Sequence, residues 1–187
     1  MSTVPTWPDL LTTLLDRRNL SISEASWAMR RIMTGEATNA QLAAFLVALR
    51  AKGETVDEIV GFRDAVLENS RPLVLDPMAI DIVGTGGDRF GTVNVSTMAS
   101  IVAAASGAPV IKHGNRAASS AAGSSDVLAA LGQRLDLGED RIAGVFDETG
   151  ITFAYAAHFH PGFRHAATVR AELAVPTVFN FLGPLCN

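Results

Sequence analysis

A chain of 187 residues, 48% of them apolar, has room for one large domain or a small one plus part of a second, and it is too rich in core-forming residues for a disordered segment. Its net charge of -4 argues against a nucleic-acid partner, because proteins that bind phosphate backbones present a broad basic surface. The single cysteine, Cys186, excludes an internal disulfide; no apolar run is long enough to cross a bilayer and no signal-peptide pattern follows Met1, so a soluble, cytoplasmic protein is expected.

Residues 1 to about 69 predict four short helices. Thr6 stands before Trp7-Pro8-Asp9, with proline where a first helical turn tolerates it. The next three starts match a capping box: Ser21-x-x-Glu24, Thr38-x-x-Gln41 and Thr55-x-x-Glu58. Gly35 and Gly53 stand at the expected stops of the second and third helices. Leu42, Phe45, Leu46 and Leu49 recur at helical spacing, as do Ile59, Phe62 and Val66, giving each helix an apolar face. Arg30, Arg31, Asp57 and Glu58 read as solvated faces of this bundle.

Ser70-Arg-Pro and Asp76-Pro77 punctuate a connector, and from Ile80 the pattern alternates strand and helix. Strands are expected from Ile80, at Ala108 to Lys112 and at Ile151 to Tyr155. Helices are expected from Thr97 to about Ser106, over Asp126 to Leu131, around Asp140 to Glu148 and around Arg164 to Leu173. Such alternation is the signature of a parallel sheet covered by helices. Gly183-Pro-Leu-Cys-Asn reads as a loop, which leaves a small sheet with an exposed edge. The expected fold class is therefore α/β: a small helical domain over 1–72, then a truncated parallel-sheet domain over 73–187, with 160–187 free to pack back on the helices.

Two loops carry the chemistry. The first strand runs into Gly84-Thr-Gly-Gly-Asp88, and Asn94-Val-Ser-Thr97 follows where a helix begins. Glycine leaves no Cβ between a backbone N–H and a bound oxyanion, and a helix start offers free N–H groups and the positive end of the dipole. This is an anion site in outline, with phosphate the favoured anion. It lacks the spacing of a dinucleotide fingerprint, and no Gly-Lys-Ser/Thr makes it a P-loop. The second loop, Lys112-His-Gly-Asn-Arg-Ala-Ala-Ser-Ser120 running on to Ser124, follows a strand directly, at the sheet edge where open parallel sheets bind ligands. Lys112, His113 and Arg116 form a cationic island in an acidic chain; Ser119, Ser120 and Ser124 add hydroxyl donors.

These stretches together resemble the anthranilate phosphoribosyltransferase family. His160-Pro161, Arg170 and Phe179-Asn-Phe-Leu-Gly-Pro-Leu fit the same family in order and interval, so the resemblance spans nearly the whole chain. It implies transfer of phosphoribose from phosphoribosyl pyrophosphate to anthranilate, with Mg2+ as cofactor, in a homodimer formed through the helical domain, with neither nucleic acid nor membrane as partner. It further implies that Gly84, Gly87, Asp88 and Thr92 line the phosphoribosyl pyrophosphate site, and that Asn94, Val95, Ser96 and Thr97 hold its pyrophosphate. Lys112, His113, Gly114, Asn115, Arg116, Ala117, Ala118, Ser119, Ser120 and Ser124 would continue the cup. Ser96 would be a metal ligand, while Gly84, Asn115 and Arg170 would meet anthranilate. No residue is assigned as acid or base, since an aromatic amine is already a neutral nucleophile near pH 7.

The family extends beyond Asn187, and its acidic pair for a second magnesium is expected there. Asp57-Glu58, Glu139-Asp140 and Asp147-Glu148 do not occupy that position and read as helix-surface or cap residues. Two other readings stand beside the transferase. A pyrimidine nucleoside phosphorylase would need a Lys-x-Ser-Gly-Arg loop, which is absent. A substrate-binding but catalytically impaired fragment is the other. His158-x-His160 supplies two imidazoles with no further ligands in view, too few for a zinc site.

Overall fold

A computed structural model describes residues 4–85, 93–116 and 123–187. In chain order the helices α1 (Trp7–Leu15), α2 (Ile22–Met33), α3 (Asn39–Lys52) and α4 (Val56–Glu68) come first. They are followed by α5 (Val95–Ala105), β1 (Val110–Gly114), α6 (Ser124–Ala130), α7 (Glu139–Thr149), β2 (Ile151–Tyr155) and α8 (Ala156–Phe159). A 3-10 turn at Pro161–Phe163, α9 (Arg164–Leu173) and α10 (Phe179–Leu185) complete the order. Two compact units result: Met1–Ser70 with His160–Cys186, and Arg71–Phe159 with Asn187. No helix among the described residues is long and apolar enough to cross a membrane.

In the first unit local chemistry sets the helix starts. Thr6 caps α1 through Asp9 N–H, and Ser21, Thr38 and Thr55 each make both bonds of a capping box, with Glu24, Gln41 and Glu58. Gly35 and Gly53 adopt positive φ, 77° and 91°, as the chain leaves α2 and α3. The core is aromatic at its centre: Trp7 meets Phe45 edge-on, and Phe45 meets Phe62 edge-on at 5.9 Å between centroids. At Gly61 of α4 an added Cβ would lie 2.4 Å from Ile22 O and 2.9 Å from the Ala25 Cβ, so glycine is what lets α4 lie against α2.

Glu58 departs from the solvated-face reading. It is fully buried, and its carboxylate accepts from the Leu20 and Thr55 N–H groups at 2.9 and 2.8 Å and pairs with Lys52 Nζ at 2.9 Å. The capping-box glutamate is thus also the clasp between the α1–α2 connection, the end of α3 and the start of α4. A second departure lies at Gly183-Pro-Leu-Cys-Asn, expected as a loop: its first three residues close α10, which spans Phe179–Leu185. Pro184 sits in its last turn, where only one backbone bond is forfeited, and Phe179 and Leu182 are buried in the core.

The second unit holds a parallel pair, β1 and β2, in register from Val110↔Ile151 to Gly114↔Tyr155. The strand expected from Ile80 is reduced, among the described residues, to a single parallel bridge, Ile80↔Val110. The reason is local. Ile111 N–H donates to Ile80 O, but the next donor on that edge, His113 N–H, goes to the Asp81 side chain at 3.3 Å. A carboxylate has taken the rung that would have extended the ladder. Ile142, Ala154 and Phe159 form the small core of this unit, with Leu73, Leu75, Ile111 and Leu137 packed against it.

Candidate functional site

Because the chain at Ile80 runs parallel to β1 and then returns as α5, the start of α5 lies at the carboxyl end of the sheet. The helix begins at Val95, two residues before the expected start, with Asn94 as N-cap. The Asn94 side chain makes no capping bond; the Asn94 main-chain carbonyl accepts from the N–H groups of Thr97 and Met98. Thr97 is buried, and its hydroxyl has no hydrogen-bond partner among the described residues. Ser100, one turn on, donates to the Ser96 carbonyl at 2.8 Å. This helix turns polar Thr97 and Ser100 inward while Val95, Met98, Ile101 and Val102 stay exposed.

The end of β1 places the second group. Lys112 is 2% exposed and donates from Nζ to the His113 carbonyl at 2.9 Å. Burial lowers its pKa, and the Asp81 carboxylate works against that fall. Asp81 is raised by its own desolvation, opposed by Lys112, the His113 N–H and the Asn187 amide. His113 is pushed down to about 4, first by burial and then by the Lys112 charge, so its ring is neutral at pH 7. An added Cβ at Gly114 would meet Ser124 Oγ, which would have to turn away, and would stand 3.3 Å from the Ser124 Cβ, so glycine eases this close approach. Close approach there lets Ser125 N–H reach the Asn115 carbonyl at 3.2 Å, so Gly114, Asn115 and Ser124 are brought together. Arg116 keeps an exposed side chain, 3.9 Å from Asp126.

Gly84 adopts no positive φ, and among the described residues a Cβ built on it meets nothing within 4 Å. Arg170 belongs to the other unit, on α9, where its guanidinium lies 5.1 Å over the Phe179 ring and burial lowers its pKa. Gly87, Asp88, Thr92, Ala117, Ala118, Ser119 and Ser120 lie outside the described residues. Among the described residues no three His, Cys, Asp or Glu side chains are grouped to hold a metal. His158 stands 3.5 Å from Arg71 Nη1, whereas His160 stacks on Phe163. The participant that residue reading overlooked is Asp81. A carboxylate inside an apolar strand pattern was the available signal.

The neutral His113 has a measurable consequence. A histidine whose folded pKa lies below its unfolded value binds fewer protons when folded, so stability falls as pH drops from about 6.5 toward 4. Asp81, shifted upward, acts in the opposite sense at the acidic end. Denaturation midpoints at pH 7 and pH 5 should therefore converge in His113→Gln relative to the unmodified chain; an unchanged gap assigns the acid loss elsewhere.

Comparison with known proteins follows the same division of the chain. Residues 8–70 match the family model described as glycosyl transferase family, helical bundle domain, and residues 76–187 match glycosyl transferase family, a/b domain. The chain is 68% identical over 187 residues to an anthranilate phosphoribosyltransferase of Leifsonia xyli subsp. xyli, covering 100% of this chain and 54% of that protein. It is 57% identical to that of Arthrobacter sp., covering 97% of this chain and 52% of the relative. Among solved structures, anthranilate phosphoribosyltransferase from Thermus thermophilus superposes with a TM-score of 0.88 at 48% identity, over 96% of this chain and 55% of that one. The Saccharomyces cerevisiae enzyme in complex with PRPP and Mg gives 0.87 at 31%, over 96% and 54%. The chain thus spans about half the length of the curated relatives it matches.

Proposed function

The chain belongs to the glycosyl transferase family that joins a helical bundle to an α/β domain, and from that premise we propose that it serves transfer of phosphoribose from phosphoribosyl pyrophosphate to anthranilate, releasing pyrophosphate and a proton. The observation that carries the reading is that the helix start at Asn94 and Val95 lies at the carboxyl end of the sheet whose strand β1 carries Lys112. The helix start holds a buried Thr97 hydroxyl that is unpartnered among the described residues. Both groups suit a ligand with many anionic oxygens.

In this reading residues 94–97 bind the pyrophosphate, with the Ser96 N–H and hydroxyl at the helix start, and Lys112 and Arg116 supply positive charge as negative charge builds on the leaving group. Gly114, Asn115 and Ser124 shape the wall of the cup. Arg170 takes the anthranilate carboxylate through its two-pronged fork. The amine attacks the ribose C1 as the bond to pyrophosphate breaks, so positioning replaces a strong base. The donor set suits magnesium: this ion dehydrates reluctantly and is bound by few protein oxygens plus substrate phosphates, and the Ser96 hydroxyl is such an oxygen. When bound, the ion neutralises charge on the leaving pyrophosphate. A cytoplasmic homodimer formed through the helical domain completes the proposal.

Calorimetric titration of the chain with phosphoribosyl pyrophosphate tests it. Binding is expected with magnesium present, and Ser96→Ala should weaken it about tenfold, ~1.4 kcal/mol, with a much smaller change in magnesium-free buffer. Loss of anthranilate fluorescence on mixing both substrates reports transfer. Absence of any heat of binding at millimolar ligand with magnesium would overturn the proposal.

A further inference from the structure

We propose that Asp81 is a positioning residue for Lys112: its carboxylate fixes the His113 main chain to which the Lys112 ammonium is tied, and so presents that ammonium in one place to an anionic ligand at the carboxyl end of the sheet. In an extended parallel strand the N–H and C=O of one residue point to the same side, and those of His113 face the edge on which Ile111 N–H meets Ile80 O. Where that ladder stops, two opposite charges take its place. Asp81 Oδ1 accepts the His113 N–H at 3.3 Å, and the His113 carbonyl accepts from Lys112 Nζ at 2.9 Å. The carboxylate is itself anchored, since Oδ2 accepts from Asn187 Nδ2 at 2.6 Å. Desolvation disfavours its charge, which Lys112, the His113 N–H, the Asn187 amide and the Ile82 N–H together support. Ile82 stands two residues before Gly84 and His113 one before Gly114, so a single side chain ties the roots of both loops.

The energetics call for such a partner. Lys112 is 2% exposed, and a desolvated ammonium is costly unless an opposite charge and hydrogen bonds compensate it. Burial works against the Lys112 charge, and the Asp81 carboxylate restores part of what burial takes away. An ammonium has three N–H donors, of which the His113 carbonyl takes one, and the others suit ligand oxygens. That use rests on the transferase reading, in which the ligand is a pyrophosphate ester. Charge alone predicts the opposite of positioning. A carboxylate near Lys112 repels a pyrophosphate, so its removal should tighten binding if Asp81 is only a nearby anion. Removal should weaken binding if Lys112 depends on Asp81.

The lysines of the 187-residue chain are Lys52 and Lys112, so ammonium proton–nitrogen spectra of 15N-lysine protein are readily assigned, with Lys112→Arg removing one signal. Without ligand, Lys112 is expected as a resolved, slowly exchanging ammonium. Asp81→Asn retains an acceptor oxygen and the side-chain volume but not the charge, and should abolish or displace the Lys112 signal, with circular dichroism confirming the fold. Asp81→Glu keeps the charge but moves it by one methylene, and should displace the signal without abolishing it. Magnesium with inorganic pyrophosphate should bind Asp81→Asn roughly tenfold more weakly than the unmodified chain by calorimetry, the lower end of the loss on removing an outer partner of a ligand-binding group. An unmoved Lys112 signal in either folded variant overturns the proposal, as does equal or tighter pyrophosphate binding by Asp81→Asn. If neither variant folds, the unmodified chain decides: a Lys112 ammonium that exchanges too fast to be seen overturns the proposal. The spectra involve no ligand, so failure there leaves the transferase reading standing. An unmodified chain that binds no pyrophosphate, with the lysine spectra as expected, counts against the transferase reading alone.

Discussion

Replacing Glu58 with alanine is expected to cost the helical unit about 3–5 kcal/mol, the range for breaking a buried ion pair from one side. The substitution strands Lys52, whose side chain is only 4% exposed, as an uncompensated charge. It also removes the acceptor of the Leu20 and Thr55 N–H groups, and an unmade buried bond costs about 1–3 kcal/mol each. These terms overlap because they share one carboxylate, so the lower range is the one to expect. Glu58→Gln retains an acceptor oxygen and the side-chain volume but not the charge, and should fall between alanine and the unmodified chain. Asp57→Ala removes an exposed carboxylate one residue away and should stay within about 0.5 kcal/mol. Urea denaturation of the three variants decides. A Glu58→Ala loss no larger than that of Asp57→Ala would mean that the clasp contributes nothing.

Glu58 also shows where sequence reading stops. The capping box at Thr55 was legible because a cap is a contact between residues three apart. The same glutamate meets Leu20, 38 residues away, and no local pattern encodes that. The helix starts, the apolar faces of α3 and α4 and the strand at Ile151–Tyr155 follow from spacing alone. The strand at Ile80 failed for the converse reason. Its residues have strand character, but a side-chain acceptor at Asp81 competes with the backbone for the His113 N–H, and propensity contains no such competition. From Gly183 a glycine and a proline suggested a loop, whereas burial of Phe179 and Leu182 carries α10 through Pro184 to Leu185. In the candidate site, the residue types and their order were legible. The burial of Lys112, the inward face of Thr97 and the part played by Asp81 are tertiary facts.

Arg170→Ala is expected to weaken anthranilate binding by roughly 10- to 150-fold, the equivalent of the 1.5–3 kcal/mol typical of hydrogen bonds to charged groups. The hypothesis is motivated by its surroundings: the guanidinium is held over the Phe179 ring, and burial already disfavours its charge. An incoming carboxylate would relieve that cost with two parallel bonds. Arg170→Lys retains the charge but not the planar fork, and it should recover only a small part of the loss. Packing against Phe179 is a separate contribution, and truncation to alanine removes it as well. Aniline separates the two effects, because it keeps the amine and the ring of anthranilate but has no carboxylate. If Arg170 recognises the carboxylate, the variant should discriminate poorly between anthranilate and aniline, whereas the unmodified chain should prefer anthranilate strongly. Fluorescence titration with both ligands gives the two ratios. Equal losses for the two ligands would place Arg170 among the packing residues of α9 and α10, and the carboxylate partner would have to be sought elsewhere.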